Sequence, residues 1–127
     1  MRQKILIVDD SPHIRKSLRT IIEQELGCQV CGEASNGAEG ISTATQLKPD
    51  VVVLDLSMPV MNGIEAARQL KKLMPATHLL MFTSYTEPSI EEVARSVGIE
   101  AFVAKSDGVM TLLQSLRRMA SPHRGAA

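Results

Sequence analysis

A chain of 127 residues has the size of one ordinary domain, and its 14 Lys and Arg balance its 14 Asp and Glu to a formal net charge of zero. This neutral balance gives no support for nucleic acid or an anionic membrane as a partner. Aromatic residues are scarce, with no Trp, one Tyr and two Phe, so the core must be aliphatic and no aromatic platform for stacking bases is expected.

Short apolar runs alternate along the chain with stretches in which apolar residues recur at helical spacing. The first apolar run has four residues before two acids, which is too short for a signal peptide, and no run approaches the roughly 18 residues that cross a bilayer. We therefore expect a cytoplasmic protein. The predicted strands, in chain order, are ILIV (5–8), QVCGEA (29–34), VVVL (51–54), HLLMFT (78–83) and IEAFVA (99–104).

A helix is predicted after each strand, because capping residues precede each periodic stretch. Ser11-Pro12 opens the first helix, Asn36-Gly37 the second, Asn62 the third, Pro88 the fourth and Ser106-Asp107 the last. The inward apolar stripes are predicted to be Ile14, Leu18, Ile21, Ile22 and Leu26; Ala38, Ile41, Ala44 and Leu47; Ile64, Ala67, Leu70 and Leu73; Ile90, Val93, Ala94 and Val97; and Met110, Leu113, Leu116 and Met119.

Strands that are apolar on both faces and alternate with helices predict a parallel sheet covered on both sides, an α/β fold. Right-handed crossovers make this a doubly wound sandwich. The flavodoxin-like strand order 2-1-3-4-5 is adopted by analogy with other five-stranded sheets of this kind, and is not read from the residues themselves. We expect one domain over residues 3–120, followed by a flexible tail or the start of a linker at 121–127.

Polar side chains follow four of the predicted strands at the point where each strand ends. Strand one ends in Asp9-Asp10, strand three in Asp55, strand four in Thr83 and strand five in Lys105. The carboxyl ends of parallel strands meet at one edge of the sheet, and ligands bind there where the winding reverses. We therefore expect these five residues to converge.

Three carboxylates brought together would repel one another, by about 4 kcal/mol for each pair at about 4 Å and an effective dielectric near 20. One divalent cation together with Lys105 would balance the three charges, and oxygen ligands suit Mg²⁺ better than zinc. A carboxylate nucleophile, a metal ion, an ammonium and the hydroxyl of Thr83 are the parts used in phosphoryl transfer.

The stretches ILIVDDSP, SNGAEG, VVVLDLSMPVMNG, MFTSY and FVAKS resemble the receiver domain of two-component response regulators over nearly all of residues 3–120. The resemblance implies that a histidine kinase or phosphotransfer protein phosphorylates Asp55. It also implies that Mg²⁺ is bound by Asp10, Asp55 and the backbone carbonyl of Ser57, and by Asp9 through water. Such a domain is a signalling module, and catalyses only its own phosphorylation and dephosphorylation.

The resemblance also assigns the residues that respond to phosphorylation. Thr83 should donate its hydroxyl to the phosphoryl group, Lys105 should pair with Asp55 and then with the phosphate, and Phe102 should change rotamer. Ser57 and Tyr85 occupy the positions that set how fast phosphate is lost. The implied readout surface is the fourth helix, fifth strand and fifth helix (roughly 88–120), which would contact a downstream effector or a second copy in a homodimer.

Two rival functions stay open from the residues. One is a receiver-like interaction module that works without phosphate; the other is a phosphatase or nucleotide enzyme on a similar sheet, for which Asp55-Leu56-Ser57 lacks a second acid and no phosphate-binding Gly loop follows strand one. Cys28 and Cys31 form a lone C-x-x-C, which we interpret as two strand residues because the second ligand pair of a zinc site is missing.

Overall fold

Each of the aliphatic runs forms a strand of one parallel sheet in the computed structural model, which describes residues 2–119. The strand order is β2-β1-β3-β4-β5, so the predicted fold class and strand order are confirmed. Residue 120 and the predicted tail at 121–127 lie outside the described residues. The strands are β1 Lys4–Val8, β2 Gln29–Ala34, β3 Val51–Leu54, β4 His78–Thr83 and β5 Ile99–Ala104.

Side-chain caps start the first three helices at the predicted residues. Ser11, Asn36 and Asn62 each accept a hydrogen bond from the backbone N–H three residues later, which satisfies one free donor of each helix end. Within residues 2–119 no helix has both the length and the apolar character needed to cross a bilayer. The helices are α1 Pro12–Leu26, α2 Gly37–Leu47, α3 Gly63–Leu73, α4 Pro88–Ser96 and α5 Val109–Met119.

The predicted start of the last helix at Ser106-Asp107 is wrong. Lys105–Asp107 form a single 3-10 turn, and α5 begins only at Val109. Gly108 separates the two with φ 87° and ψ 167°, a backbone conformation that a helix cannot contain and that favours glycine. The turn therefore belongs to the end of β5, where it carries Lys105.

Two aliphatic clusters pack on the two faces of the sheet. One lies under α1 and α5 and the other under α2, α3 and α4. Full burial of one Ile, Leu or Val side chain contributes about 1.5–3 kcal/mol, so these layers form a core with little help from aromatic rings. Residues buried with no exposed surface include Ile5, Leu6, Ile7, Val8, Leu54, Leu70, Leu79, Leu80, Met81, Leu112 and Leu116.

Four residues predicted to face inward are instead exposed: Ala38, Leu73, Val93 and Met110. Ala38 and Met110 lie in the first turn of their helices and Leu73 is the last residue of α3, so these three exposed residues are at helix ends. In α4 only Ala94 is buried, and the helix contacts the sheet through a narrower face than its apolar spacing suggests.

The two cysteines lie on opposite faces of the sheet. Cys28 is buried in the cluster under α1 and α5, whereas Cys31 packs against the other cluster. Both are free thiols, and burial raises the pKa of each. Because the sheet separates them, Cys28 and Cys31 do not form a redox pair in this fold.

Val60, in the loop between β3 and α3, is predicted to be a strained position whose replacement stabilises the protein. It has φ 69° and a side chain that is 83% exposed. A β-branched residue in this region costs about 1–2 kcal/mol. Glycine adopts it freely, but it lowers stability by about 0.5–1 kcal/mol because glycine loses more conformational freedom on folding. We expect Val60→Gly to raise the free energy of unfolding in urea by about 0.5–1 kcal/mol.

Val60→Ala is the matched control, because it removes the exposed methyl groups and keeps a Cβ. An equal gain from Val60→Ala would contradict backbone strain as the cause.

Candidate functional site

The site is built on the carboxyl ends of the two central strands. Beyond β1, the backbone N–H of Asp9 continues the sheet by donating to the carbonyl of Ala34 at 3.0 Å, and beyond β3 that of Asp55 donates to Val8 at 2.9 Å. Asp9 is 3% exposed and Asp55 is 7% exposed, while Asp10 is exposed. The sheet thus holds two acids in place below a third that faces solvent.

The three acids converge as predicted from the sequence. One carboxylate oxygen from each of Asp9, Asp10 and Asp55 lies within 4.8 Å of the other two. An octahedral Mg²⁺ holds oxygen ligands at about 2.1 Å, so opposite ligands are about 4.2 Å apart. The three side chains could therefore hold such an ion with small adjustments.

Lys105 joins this cluster from the 3-10 turn after β5. Its Nζ lies 3.1 Å from Asp9 Oδ2 and 3.1 Å from Asp55 Oδ2. Burial is the largest influence and favours the neutral form of the lysine, but the hydrogen bonds and charges of Asp55 and Asp9 together outweigh it and raise the pKa of Lys105. The ammonium is therefore a permanent charge between the two buried acids.

Asp55 itself is crowded. Burial is the largest influence and raises its pKa, the hydrogen bond from Lys105 lowers it, and the negative charge of Asp9 raises it again; the net result is a raised pKa. One ammonium does not neutralise the two buried acids and their exposed neighbour, so a bound cation would lower the repulsion among them.

Two glycines allow the loop after Asp55 to pack closely. A Cβ on Gly63 would lie 2.1 Å from the carbonyl oxygen of Asp55, and a Cβ on Gly37 would lie 2.5 Å from that of Met61. The backbone N–H of Gly63 donates to Leu56 and that of Gly37 to Met61. A side chain at either position would therefore displace this backbone. Ser57 is exposed within the same loop, two residues after Asp55.

Thr83 ends β4 on the same edge and is fully buried. It pairs with Ala104, the residue before Lys105, and its hydroxyl accepts a hydrogen bond of 3.2 Å from the backbone N–H of Tyr85. The Tyr85 side chain is 46% exposed. Thr83 therefore lies at the site's edge, with its hydroxyl tied to the loop that precedes α4.

Phe102 is half-buried in the middle of β5. It pairs with Met81 and packs against the cluster under α2, α3 and α4. It lies two residues before Ala104, on the strand next to that of Thr83. Its phenyl ring has no polar atom with which to hydrogen-bond to the acids. Its predicted role as a switch residue stays a prediction.

Sequence reasoning did not single out Arg15, which lies close to the acids. Its Nη1 donates to the backbone carbonyl of Asp9 at 2.7 Å. The only sequence signal is its spacing of six residues after Asp9, which places it one turn into α1. Sequence alone does not show that a helical side chain turns back to a strand carbonyl.

The family model for the response regulator receiver domain matches residues 5–117. The protein-glutamate methylesterase/protein-glutamine glutaminase of Alkalilimnicola ehrlichii is 37% identical over 107 residues, which are 83% of this chain and 27% of that protein. The response regulator protein VraR of Staphylococcus aureus is 32% identical over 118 residues, which are 93% of this chain and 56% of VraR.

A solved structure of a receiver domain is also similar to this chain. The response regulator domain of Thermotoga maritima CheB has a TM-score of 0.88 and 34% identity, with 94% of this chain and 97% of that chain covered. The chain thus spans a quarter to about half of the length of the two full-length relatives but nearly all of an isolated receiver domain.

Removing the charge of Asp55 is predicted to stabilise the fold when no divalent cation is present. Because its pKa is raised on folding, ionised Asp55 disfavours the folded state at neutral pH. In EDTA at pH 7 we expect Asp55→Asn to raise the free energy of unfolding by about 1 kcal/mol, since it removes like-charge repulsion and leaves Lys105 paired with Asp9.

The gain should disappear below the ordinary carboxyl pKa of 3.8, where the acid is protonated in both states. Urea unfolding at several pH values measures it. Asp107→Asn changes an exposed acid as the control, and an equal gain there would contradict the explanation.

Proposed function

The chain belongs to the response regulator receiver family, and from this premise we propose that it accepts a phosphoryl group on Asp55 in a Mg²⁺-dependent reaction. One observation carries the proposal: three carboxylates and one ammonium, from four separate segments of the chain, converge at one sheet edge. The donor would be the phosphohistidine of a sensor histidine kinase or of a phosphotransfer protein.

In the proposed reaction a carboxylate oxygen of Asp55 attacks the phosphorus of the donor. The bond from phosphorus to the imidazole nitrogen breaks, the imidazole leaves with the electron pair and takes up a proton, and Asp55 becomes an acyl phosphate. Asp10, Asp55 and the carbonyl of Ser57 would hold Mg²⁺ directly and Asp9 through water. When bound, the ion would supply positive charge against the acids and the phosphoryl oxygens.

Residues of the chain would move to contact the negative charge that phosphorylation adds. Phosphorylation changes about one negative charge at Asp55 to about two, and adds acceptor oxygens. Lys105 already contacts Asp55 and would follow the phosphoryl group. Thr83 could donate its hydroxyl to that group only by giving up its present contact with the Tyr85 N–H. Movement of Thr83 would leave space into which Phe102 could turn.

A groove of about 260 Å³ between α1 and α5 supports docking of the phosphodonor beside the acids. Its lining includes His13, Ile14, Phe82 and Val109, together with Lys105. A protein that presents a phosphohistidine must approach Asp55 from this solvent-facing edge. The groove gives such a donor an apolar contact next to the reacting atoms.

The surface formed by α4, β5 and α5 is the proposed readout for a downstream effector or for a homodimer. In α4 only Ala94 is buried, so few contacts oppose movement of this helix. The proposed module is a cytoplasmic domain with limits at residues 3–120. It would bind neither nucleic acid nor a membrane directly.

Phosphorylation can be tested with small-molecule donors. Incubation with acetyl phosphate or phosphoramidate and MgCl₂ should add one phosphoryl group in intact-protein mass spectra. Asp55→Asn should add none, because the nucleophile is gone, and Asp10→Asn should require more Mg²⁺. Borohydride reduction followed by peptide sequencing should place homoserine at position 55.

Two outcomes would contradict this proposal. A wild-type protein that takes up no phosphoryl group with Mg²⁺ and either donor would favour the rival interaction module that works without phosphate. Stoichiometric labelling of Asp55→Asn would show that another residue is the acceptor.

Tyr85 is predicted to slow the loss of the phosphoryl group. It lies two residues after Thr83 and is bulky and about half-exposed next to the site's edge, where it can restrict attack by water; Ser57, the other tuning position, is small and exposed. Tyr85→Ala should shorten the lifetime of the phosphorylated protein several-fold, as measured by phosphate release after donor removal. Thr86→Ala, at the exposed neighbouring position, is the control, and equal lifetimes for wild type and Tyr85→Ala would refute this role.

A further inference from the structure

Asp9 is held at both backbone groups and at both carboxylate oxygens. Its N–H donates to the carbonyl of Ala34 at 3.0 Å, and its carbonyl accepts from Arg15 Nη1 at 2.7 Å. Its Oδ1 accepts from the backbone N–H of Ser11 at 2.9 Å, and its Oδ2 lies 3.1 Å from Lys105. Of these four contacts, only the one from Arg15 acts on the peptide group between Asp9 and Asp10.

The guanidinium of Arg15 is itself fixed from its other side. Its Nε donates to Glu33 Oε1 at 3.1 Å, and Arg19 Nε donates to the second oxygen, Glu33 Oε2, at 2.7 Å. Burial alone would raise the pKa of Glu33, but the hydrogen bonds from Arg19 and Arg15 hold it below its ordinary value. The Arg15 side chain is only 17% exposed, so Glu33 and α1 together leave its planar fork little freedom.

We propose that Arg15 is a positioning residue that orients the Asp9–Asp10 peptide and thereby pre-forms the divalent-cation site. A peptide unit is planar, so fixing the carbonyl of Asp9 also fixes the N–H of Asp10 and the direction in which its chain leaves. Asp10 is exposed, and within residues 2–119 its carboxylate accepts no hydrogen bond. Its place near Asp9 and Asp55 therefore depends on its backbone.

The charge of Arg15 is paired with that of Glu33, so it adds little repulsion toward a bound cation. Its contribution to the site is the fixed direction of the Asp9 carbonyl. The inference rests on the proposed function, because it assigns Arg15 a part in binding the cation that phosphorylation requires.

Arg15→Gln and Arg19→Gln form a matched pair. Each removes one guanidinium from the same Glu33 and each also removes one contact to a backbone carbonyl, that of Asp9 for Arg15 and that of Val30 for Arg19. Only the Asp9 carbonyl belongs to the acidic site. We expect Arg15→Gln to raise the Kd for Mg²⁺ about ten-fold, which is typical for loss of a residue that supports a metal ligand. Arg19→Gln should change it less than two-fold, while both variants lose similar stability in urea.

A second readout separates positioning from general loosening of the fold. The Mg²⁺ concentration that gives half-maximal phosphorylation by acetyl phosphate should rise in Arg15→Gln as the Kd does, while the rate at saturating Mg²⁺ stays within about two-fold, since the nucleophile and Lys105 are intact. Arg15→Lys, which can still donate to the Asp9 carbonyl, should recover part of the Mg²⁺ affinity and serves if Arg15→Gln fails to fold.

Equal Mg²⁺ affinities for Arg15→Gln and Arg19→Gln would overturn the inference, and so would an Arg15→Lys variant as weak as Arg15→Gln. A wild-type protein that binds no Mg²⁺ or takes up no phosphoryl group would instead refute the proposed function. The two failures are therefore distinguishable in one set of titrations.

Discussion

Charge crowding at one edge of the sheet is the constraint on which the rest of the structure depends. Asp9 and Asp55 are almost fully buried, and the ammonium of Lys105 contacts both of them. Taking such groups out of water costs several kcal/mol per ion unless they are paired and hydrogen-bonded. With three acids and one ammonium, the carboxylates repel one another when no cation is bound. The surrounding backbone must therefore keep them in place.

The backbone meets this requirement with contacts that do not involve the carboxylates of the acids. The buried strands β1 and β3 supply rigid supports, and their ladder hydrogen bonds continue through Asp9 and Asp55. Gly63 and Gly37 let two helix starts pack directly against the loop that follows Asp55, at distances that no Cβ would allow. Most of the chain near the site therefore serves to fix carboxylates that would otherwise separate.

Much of this could be predicted from the sequence because strand and helix periodicities are local. The five strands, the caps at Ser11, Asn36 and Asn62, and the convergence of the acids with Lys105 all follow from residue types and from the geometry of parallel sheets. The strand order came from analogy, and the resemblance to receivers supplied the residue roles.

What could not be predicted depends on tertiary contacts or on one residue's conformation. The start of α5 is set by the positive φ of Gly108, and Leu73 and Met110 are exposed at helix ends although their spacing continues the apolar stripes. The contact from Arg15 to the Asp9 carbonyl joins a helix to a strand end. No spacing rule shows these arrangements, because they depend on where one element lies against another.

The alternation of side chains along the strands divides the site between the two faces of the sheet. Ile7 and Val53 belong to the cluster under α1 and α5, and Asp9 and Asp55, two residues further on, continue on that side. Met81 belongs to the opposite cluster, so Thr83 lies on the side that also holds Phe102. Under the proposed function, a phosphodonor would dock at α1 and α5 while the response reaches α4 across the sheet edge. Thr83 lies at that edge with its hydroxyl bound to the Tyr85 N–H, so in that proposal it would link a charge added on one face to movement of a loop on the other.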